Sequence, residues 1–118
     1  MESLPVIEAI APAEFAAWAA RQDHTEPPLL IDVREPWEWA LAHLPAQPGC
    51  ELLHLPLGNL PSELARLDPD RPTALMCHHG MRSLNAAMFL QANGFERLGN
   101  VVGGIDAWAQ FDAQVPRY

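Results

Sequence analysis

The chain has 118 residues, 49% of them hydrophobic and 19% charged, which is one domain's length with apolar material enough for a core and excludes disordered, collagen-like and coiled-coil chains. Against 15 acids stand 7 bases, for a net charge of −8; the bases are all Arg and scattered singly, so neither nucleic acid nor an anionic membrane surface is an expected partner. No apolar run is long enough to span a bilayer, and the acidic start MESLPVIEAIAP lacks a signal peptide's basic region, so a single domain over residues 1–118, in the cytoplasm, is the expectation.

In chain order, Val6–Ile10 is a weak apolar run, and Pro12 stands where a first-turn proline belongs ahead of an Ala-rich helix over Ala13–Arg21, with Phe15 and Trp18 on one face. Leu29–Val33 is a strong apolar run broken only by Asp32, and Leu52–Pro56 is another. Leu60, Leu64 and Leu67 share a face of a helix over 60–67. Thr73–Cys77 is a further apolar run, followed by a helix over Ser83–Asn93 whose stripe is Leu84, Ala87, Met88 and Gln91 and whose stop is Gly94-Phe95. Leu98–Val102 runs into Gly103-Gly104 and a short helix over Gly104–Gln110. Short continuous apolar runs alternating with helices predict a three-layer α/β fold around a parallel sheet whose strands are buried on both faces.

The segment Cys77-His78-His79-Gly80-Met81-Arg82-Ser83 lies between a buried strand and an amphipathic helix, at the carboxyl end of a strand where open α/β sheets bind ligands. Gly80 lets successive amides turn inward as an anion nest, the helix N-terminus adds partial positive charge, and Arg82 adds a permanent cation. All three influences lower a thiol's pKa, so Cys77 is the expected nucleophile and needs no general base for its own ionisation. His78 and His79 are expected at the rim, with side chains that diverge; no spaced Cys/His partner accompanies them, so no metal is expected. Cys50, in a Pro-Gly-rich loop, is expected to be incidental and reduced. Trp37, Trp39 and Trp108 are read as packing residues.

These residues resemble the rhodanese family of sulfurtransferases, from about Pro28 to Tyr118. The Asp32-Val33-Arg34-Glu35-Pro36-Trp37-Glu38 stretch is similar to the family's D-V-R-E motif, Ala42-His43-Leu44-Pro45 to its G-H-I-P motif, and His54-Leu55-Pro56-Leu57 to its N-I-P-L strand. Cys77–Arg82 is similar to the active-site loop, and Gly103-Gly104-Ile105-Asp106-Ala107-Trp108 to the closing G-G-x-x-x-W. The resemblance implies a five-stranded parallel sheet of order 3-2-4-5-1 flanked by helices, the second strand ending at Asp32 beside the fourth ending at Cys77. It implies transfer of sulfane sulfur from thiosulfate or a similar anionic donor to a thiol or cyanide through a Cys77 persulfide, with no cofactor. In that reading His78, His79, Gly80, Met81, Arg82 and Ser83 bind the substrate, and Asp32 and Arg34 pair in support. Two other readings stay open: a persulfide carrier serving a sulfur-relay partner protein, and, less favoured, the family's phosphatase and arsenate-reductase chemistry. Those relatives place five residues between Cys and Arg; here there are four, which makes a smaller cradle.

Overall fold

The computed structural model describes residues 6–23 and 25–118; residues 1–5, part of the acidic start read above, lie outside them. The elements are β1 (Glu8–Ile10), α1 (Phe15–Ala20) after a 3-10 turn at Pro12–Glu14, β2 (Leu29–Asp32), α2 (Pro36–Leu41), β3 (Glu51–His54), α3 (Leu60–Glu63) between 3-10 turns at Leu57–Asn59 and Leu64–Arg66, β4 (Thr73–Met76), α4 (Met81–Ala92), β5 (Leu98–Val101) and α5 (Gly104–Phe111). The five strands pair in parallel in the order β1-β5-β4-β2-β3, the expected 3-2-4-5-1 read from the other edge. Among the described residues no helix is long and apolar enough to cross a membrane.

Alternation of side chains along each strand sends neighbours into different layers. Leu30 joins Ile10, Phe15, Trp18, Ala74, Met76, Ile105 and Trp108 under α1 and α5. Leu29 and Ile31 join Leu60, Leu75, Cys77, Ala87 and Leu90 under α3 and α4. Phe15 is the hinge of the first layer's aromatic packing, with ring centroids 5.6 Å from Trp18 and 5.3 Å from Trp108. β2 and β4 are buried at every residue, as expected for strands covered on both faces. The edge strands differ: β3 has no buried residue and β1 has only Ile10, because each has one strand neighbour and thinner helix cover.

The stripe expected on α4 is displaced around the helix. Its buried residues are Ser83, Ala86, Ala87 and Leu90, while Met88 is exposed. Small Ala side chains let the helix lie close to the sheet, and Ser83 turns inward toward Cys77. Its end is as expected: the N–H of Phe95 bonds to the carbonyl of Leu90 and that of Gly94 to Gln91, with Phe95 buried. A helix that the run-by-run reading did not anticipate, α2, starts at Pro36. Proline suits a first helical position, and the N–H of Glu35 bonds to the side chain of Glu38, 2.9 Å away, at the N3 position.

Candidate active site

β2 ends at Asp32 opposite Met76, the last residue of β4, so Cys77 leaves the sheet where the strand order reverses. Its side chain is buried, and Sγ accepts the Gly80 N–H at 3.0 Å. Burial by itself pushes the thiol up; hydrogen bonds from the Ser83 hydroxyl and from the N–H groups of Ser83, Gly80 and His79 outweigh it and hold the thiol below its ordinary value. The Ser83 hydroxyl has one proton and two acceptors, Asn100 Oδ1 at 2.5 Å and Cys77 Sγ at 3.4 Å. The shorter contact claims it until charge builds on sulfur, so the backbone N–H groups are the standing donors.

The loop is pinned from outside through three of its carbonyls, and the one on His78 belongs to the peptide that aims the His79 N–H inward. Ile105 N–H takes the Cys77 carbonyl at 2.9 Å, Asp106 N–H takes that of His78 at 3.1 Å, and Asn100 Nδ2 takes that of Gly80 at 3.1 Å. Two glycines permit this. Gly80 turns the chain at φ +107, and Gly104, at φ +60, has no Cβ where one would sit 2.3 Å from the Cys77 carbonyl oxygen.

A buried polar chain supports the loop from the side. Arg34, with no exposed surface, donates to both oxygens of Asp32 at 2.7 to 3.1 Å, to the Ala42 carbonyl at 2.8 Å and to the Tyr118 hydroxyl at 3.0 Å. Tyr118 passes its own proton toward Glu38 Oε1 at 2.9 Å. Glu38 is gripped at both oxygens by Arg82, at 2.7 and 2.8 Å. That fork, against the opposing pull of burial, brings the Glu38 carboxyl down to about 2 and raises Arg82 above its ordinary value. Asp32 and Arg34 therefore pair, as the sequence suggested. Arg82 corrects an expectation: it is no uncompensated cation, since Glu38 matches its charge.

The rim corrects another. The His78 and His79 rings stack instead of diverging, with centroids 4.0 Å apart at 22°, and His78 stacks on Tyr118 at 4.1 Å and 10°. Burial, then the neighbouring His79, lower the pKa of His78. Asp106 Oδ2 lies 3.8 Å from His79 Nε2, and Asp106 Oδ1 is paired with Arg117 at 3.2 Å. Met81 is exposed at the start of α4. Trp108 is buried as expected, but Trp37 is 62% exposed, and Trp39 stacks between His43 and His54 at 4.4 and 4.9 Å instead of entering the core. A recess of about 330 Å³ between the end of α2 and residues 114–116 contains none of the loop's residues.

Cys50 stands apart. The pairing of Glu51 with Leu29, and of Leu29 with Thr73, puts it level with residue 72. Five residues of strand separate that level from Cys77, about 16 Å at ~3.3 Å each, beyond the ~7 Å that a disulfide allows. Burial pushes its thiol up to about 11. Four site residues had escaped the sequence reading. Glu38 had a signal, its place three residues after Glu35 beside Pro36; Asn100, Asp106 and Tyr118 reach the loop from distant segments.

A family model described as a rhodanese-like domain matches residues 13–111. A protein from Allochromatium vinosum named "Sulfurtransferase" is 36% identical over 86 residues, which cover 73% of this chain and 76% of that one. A Mycobacterium tuberculosis protein named "Probable adenylyltransferase/sulfurtransferase MoeZ" is 37% identical over 101 residues, covering 86% of this chain but 24% of that longer protein. The crystal structure of a rhodanese-like domain protein from Staphylococcus aureus superposes with a TM-score of 0.71 at 25% identity, over 95% of this chain and 99% of that one.

Proposed function

Because the chain belongs to the rhodanese-like domain family, we propose that the sulfur transfer its relatives are named for runs here through a persulfide on Cys77. The observation that carries this is the buried Sγ among inward N–H donors, with its thiol held below the ordinary value. The Cys77 thiolate attacks the outer sulfur of thiosulfate or a similar anionic sulfane donor. The Sγ–S bond forms, the donor's S–S bond breaks, and sulfite leaves with the electron pair. The outer sulfur then sits in the nest of N–H groups from His79 to Ser83, which stabilise its negative charge as an oxyanion hole does. A thiol, or cyanide in an assay, takes that sulfur and returns the Cys77 thiolate. Arg82, locked to Glu38, fixes the start of α4; Asp32 and Arg34 hold the end of β2 beside it. No cofactor enters either half-reaction, and residues 1–118 act as one domain.

The relative whose name joins adenylyltransferase to sulfurtransferase favours a second reading, in which the domain hands its sulfur to a partner protein without much turnover of its own. Phosphate chemistry is disfavoured by the cradle: four residues separate Cys77 from Arg82, and the guanidinium points its fork at Glu38. Intact-mass measurement after thiosulfate treatment tests the proposal. Wild type and Cys50→Ser should each gain one sulfur and Cys77→Ser none; a Cys77→Ser chain that still loads, or a Cys50→Ser chain that does not, overturns it. Turnover with cyanide then separates the enzyme from the carrier.

A further inference from the structure

The geometry points to His79, with Asp106 beside it, as the base that deprotonates the acceptor thiol in the second half-reaction; this rests on the persulfide reading above. Ionising Cys77 needs no base, because the nest stabilises its thiolate. The acceptor brings no nest. A free thiol has a pKa of about 8.5, so most of it is protonated at neutral pH and is a poor nucleophile toward the persulfide.

His79 stands where a base is needed. Its backbone N–H is one of the donors around Cys77 Sγ, so it belongs to the loop that forms the cradle, two residues after the nucleophile. That side chain is 65% exposed, open to an incoming thiol, and Asp106 beside it is 20% exposed. Imidazole is the side chain suited to taking a proton near neutral pH. A useful base must also be oriented by a third group. Asp106 Oδ2 lies 3.8 Å from Nε2, beyond hydrogen-bond distance, and acts through its charge, which draws the proton toward Nε2 and leaves the Nδ1 lone pair for the thiol. Asp106 is itself anchored: Arg117 Nε and Nη2 both donate to its Oδ1 at 3.2 Å, and its N–H is bonded to the His78 carbonyl. The stack of His79 on His78, and of His78 on Tyr118, fixes the ring from the other side.

The step balances without an oxidant or reductant. The thiol's proton passes to His79 Nδ1. The freed sulfur pair bonds to the outer sulfur of the Cys77 persulfide, the bond from that sulfur to Sγ breaks, and its electron pair stays on Cys77 as thiolate. The product is the acceptor's persulfide, and the proton leaves His79 for water. Sulfite, already an anion, takes the same sulfur with no proton to lose.

The experiment loads the full chain with one sulfur and compares release to a simple alkyl thiol with release to sulfite, in wild type, His79→Gln and Asp106→Asn. General-base loss typically costs 10²-fold or more, so the thiol-to-sulfite rate ratio should fall at least tenfold in His79→Gln and fall less in Asp106→Asn. The deficit should shrink as pH rises past the thiol's own pKa; the other titratable and charged groups around the ring are His78, Asp106 and Arg117, with Tyr118 and Glu38 beyond His78. A ratio equal to wild type, or an equal loss with both acceptors, overturns the role of His79 while leaving the persulfide reading intact. A wild-type chain that never loads sulfur overturns both.

Discussion

Glu38→Gln removes one charge from a side chain that ties α2 to α4 and keeps its shape. The carboxylate accepts both arms of Arg82, the Tyr118 hydroxyl and the Glu35 N–H; an amide must turn its NH₂ toward one of the Arg82 arms, which is already a donor. The native carboxyl sits at about 2 against an ordinary 4.5, which corresponds to about 3 kcal/mol. Glu38 is buried but Arg82 is 37% exposed, so water screens the pair and about 2 kcal/mol is the expected loss. In a chain of this size that lowers the melting temperature by about 8 °C. The pH dependence has a definite sign. A carboxyl whose folded pKa is depressed contributes fully above its unfolded value and loses that contribution as pH falls through its folded value, here from 4.5 toward 2. Denaturant melts at stepped pH should therefore show a wild-type advantage at pH 7 that closes across that window. Parallel curves down to pH 2, or melting temperatures within 2 °C of each other at pH 7, would refute the assignment of Glu38 as an ionised anchor.

Two further outcomes are expected. Gly104→Ala places a Cβ 2.3 Å from the Cys77 carbonyl oxygen and 2.4 Å from that of His78 at φ +60; both obstacles are backbone, so stability should fall by about 3 kcal/mol in urea titration and sulfur loading should fail, whereas a loss under about 1 kcal/mol would mean the loop and α5 are not in fixed contact. A small alkylating agent near neutral pH should mark Cys77 ahead of Cys50, whose buried thiol lies at about 11, with peptide mapping reading the order; preferential labelling of Cys50 contradicts the electrostatics of both sites.

The sheet was legible because each strand is a short apolar run that begins and ends on local signals. Runs over 29–33, 73–77 and 98–102 each overshoot the observed strand by one residue, since the last residue of each run already belongs to the loop that leaves the sheet. Their degree of cover was less legible: β1 and β3 contain apolar residues as the central strands do, but each lies at an edge with a single strand neighbour. The α4 stripe was misread because Leu84 and Met88 outweigh Ala86 in apolarity, while close approach to the sheet favours the smaller side chain. At the site, Cys77, Gly80 and Ser83 could be read together because one loop supplies them. Glu38 sits 44 residues from Arg82, and Tyr118 sits 84 residues from Arg34; such pairings exist only after the sheet has formed. The stacking of His78 on His79 also needed the structure, because its third ring comes from Tyr118.

The clamp of α5 on the carbonyls of Cys77 and His78 bears on how the loop answers a change of charge. Liquid water must rotate its molecules each time a negative charge moves, and that rotation is part of any activation barrier. Here the N–H donors are already aimed at the sulfur; the peptide that carries the His79 N–H has its oxygen tied to Asp106, and the carbonyls of Cys77 and Gly80 are tied to Ile105 and Asn100. Under the proposed persulfide chemistry, as charge passes from thiolate to persulfide and back, the medium around it has little left to rotate. The loop behaves as a solvent frozen in the answering orientation, with the reorganisation energy of each half-reaction met once, when the chain folds.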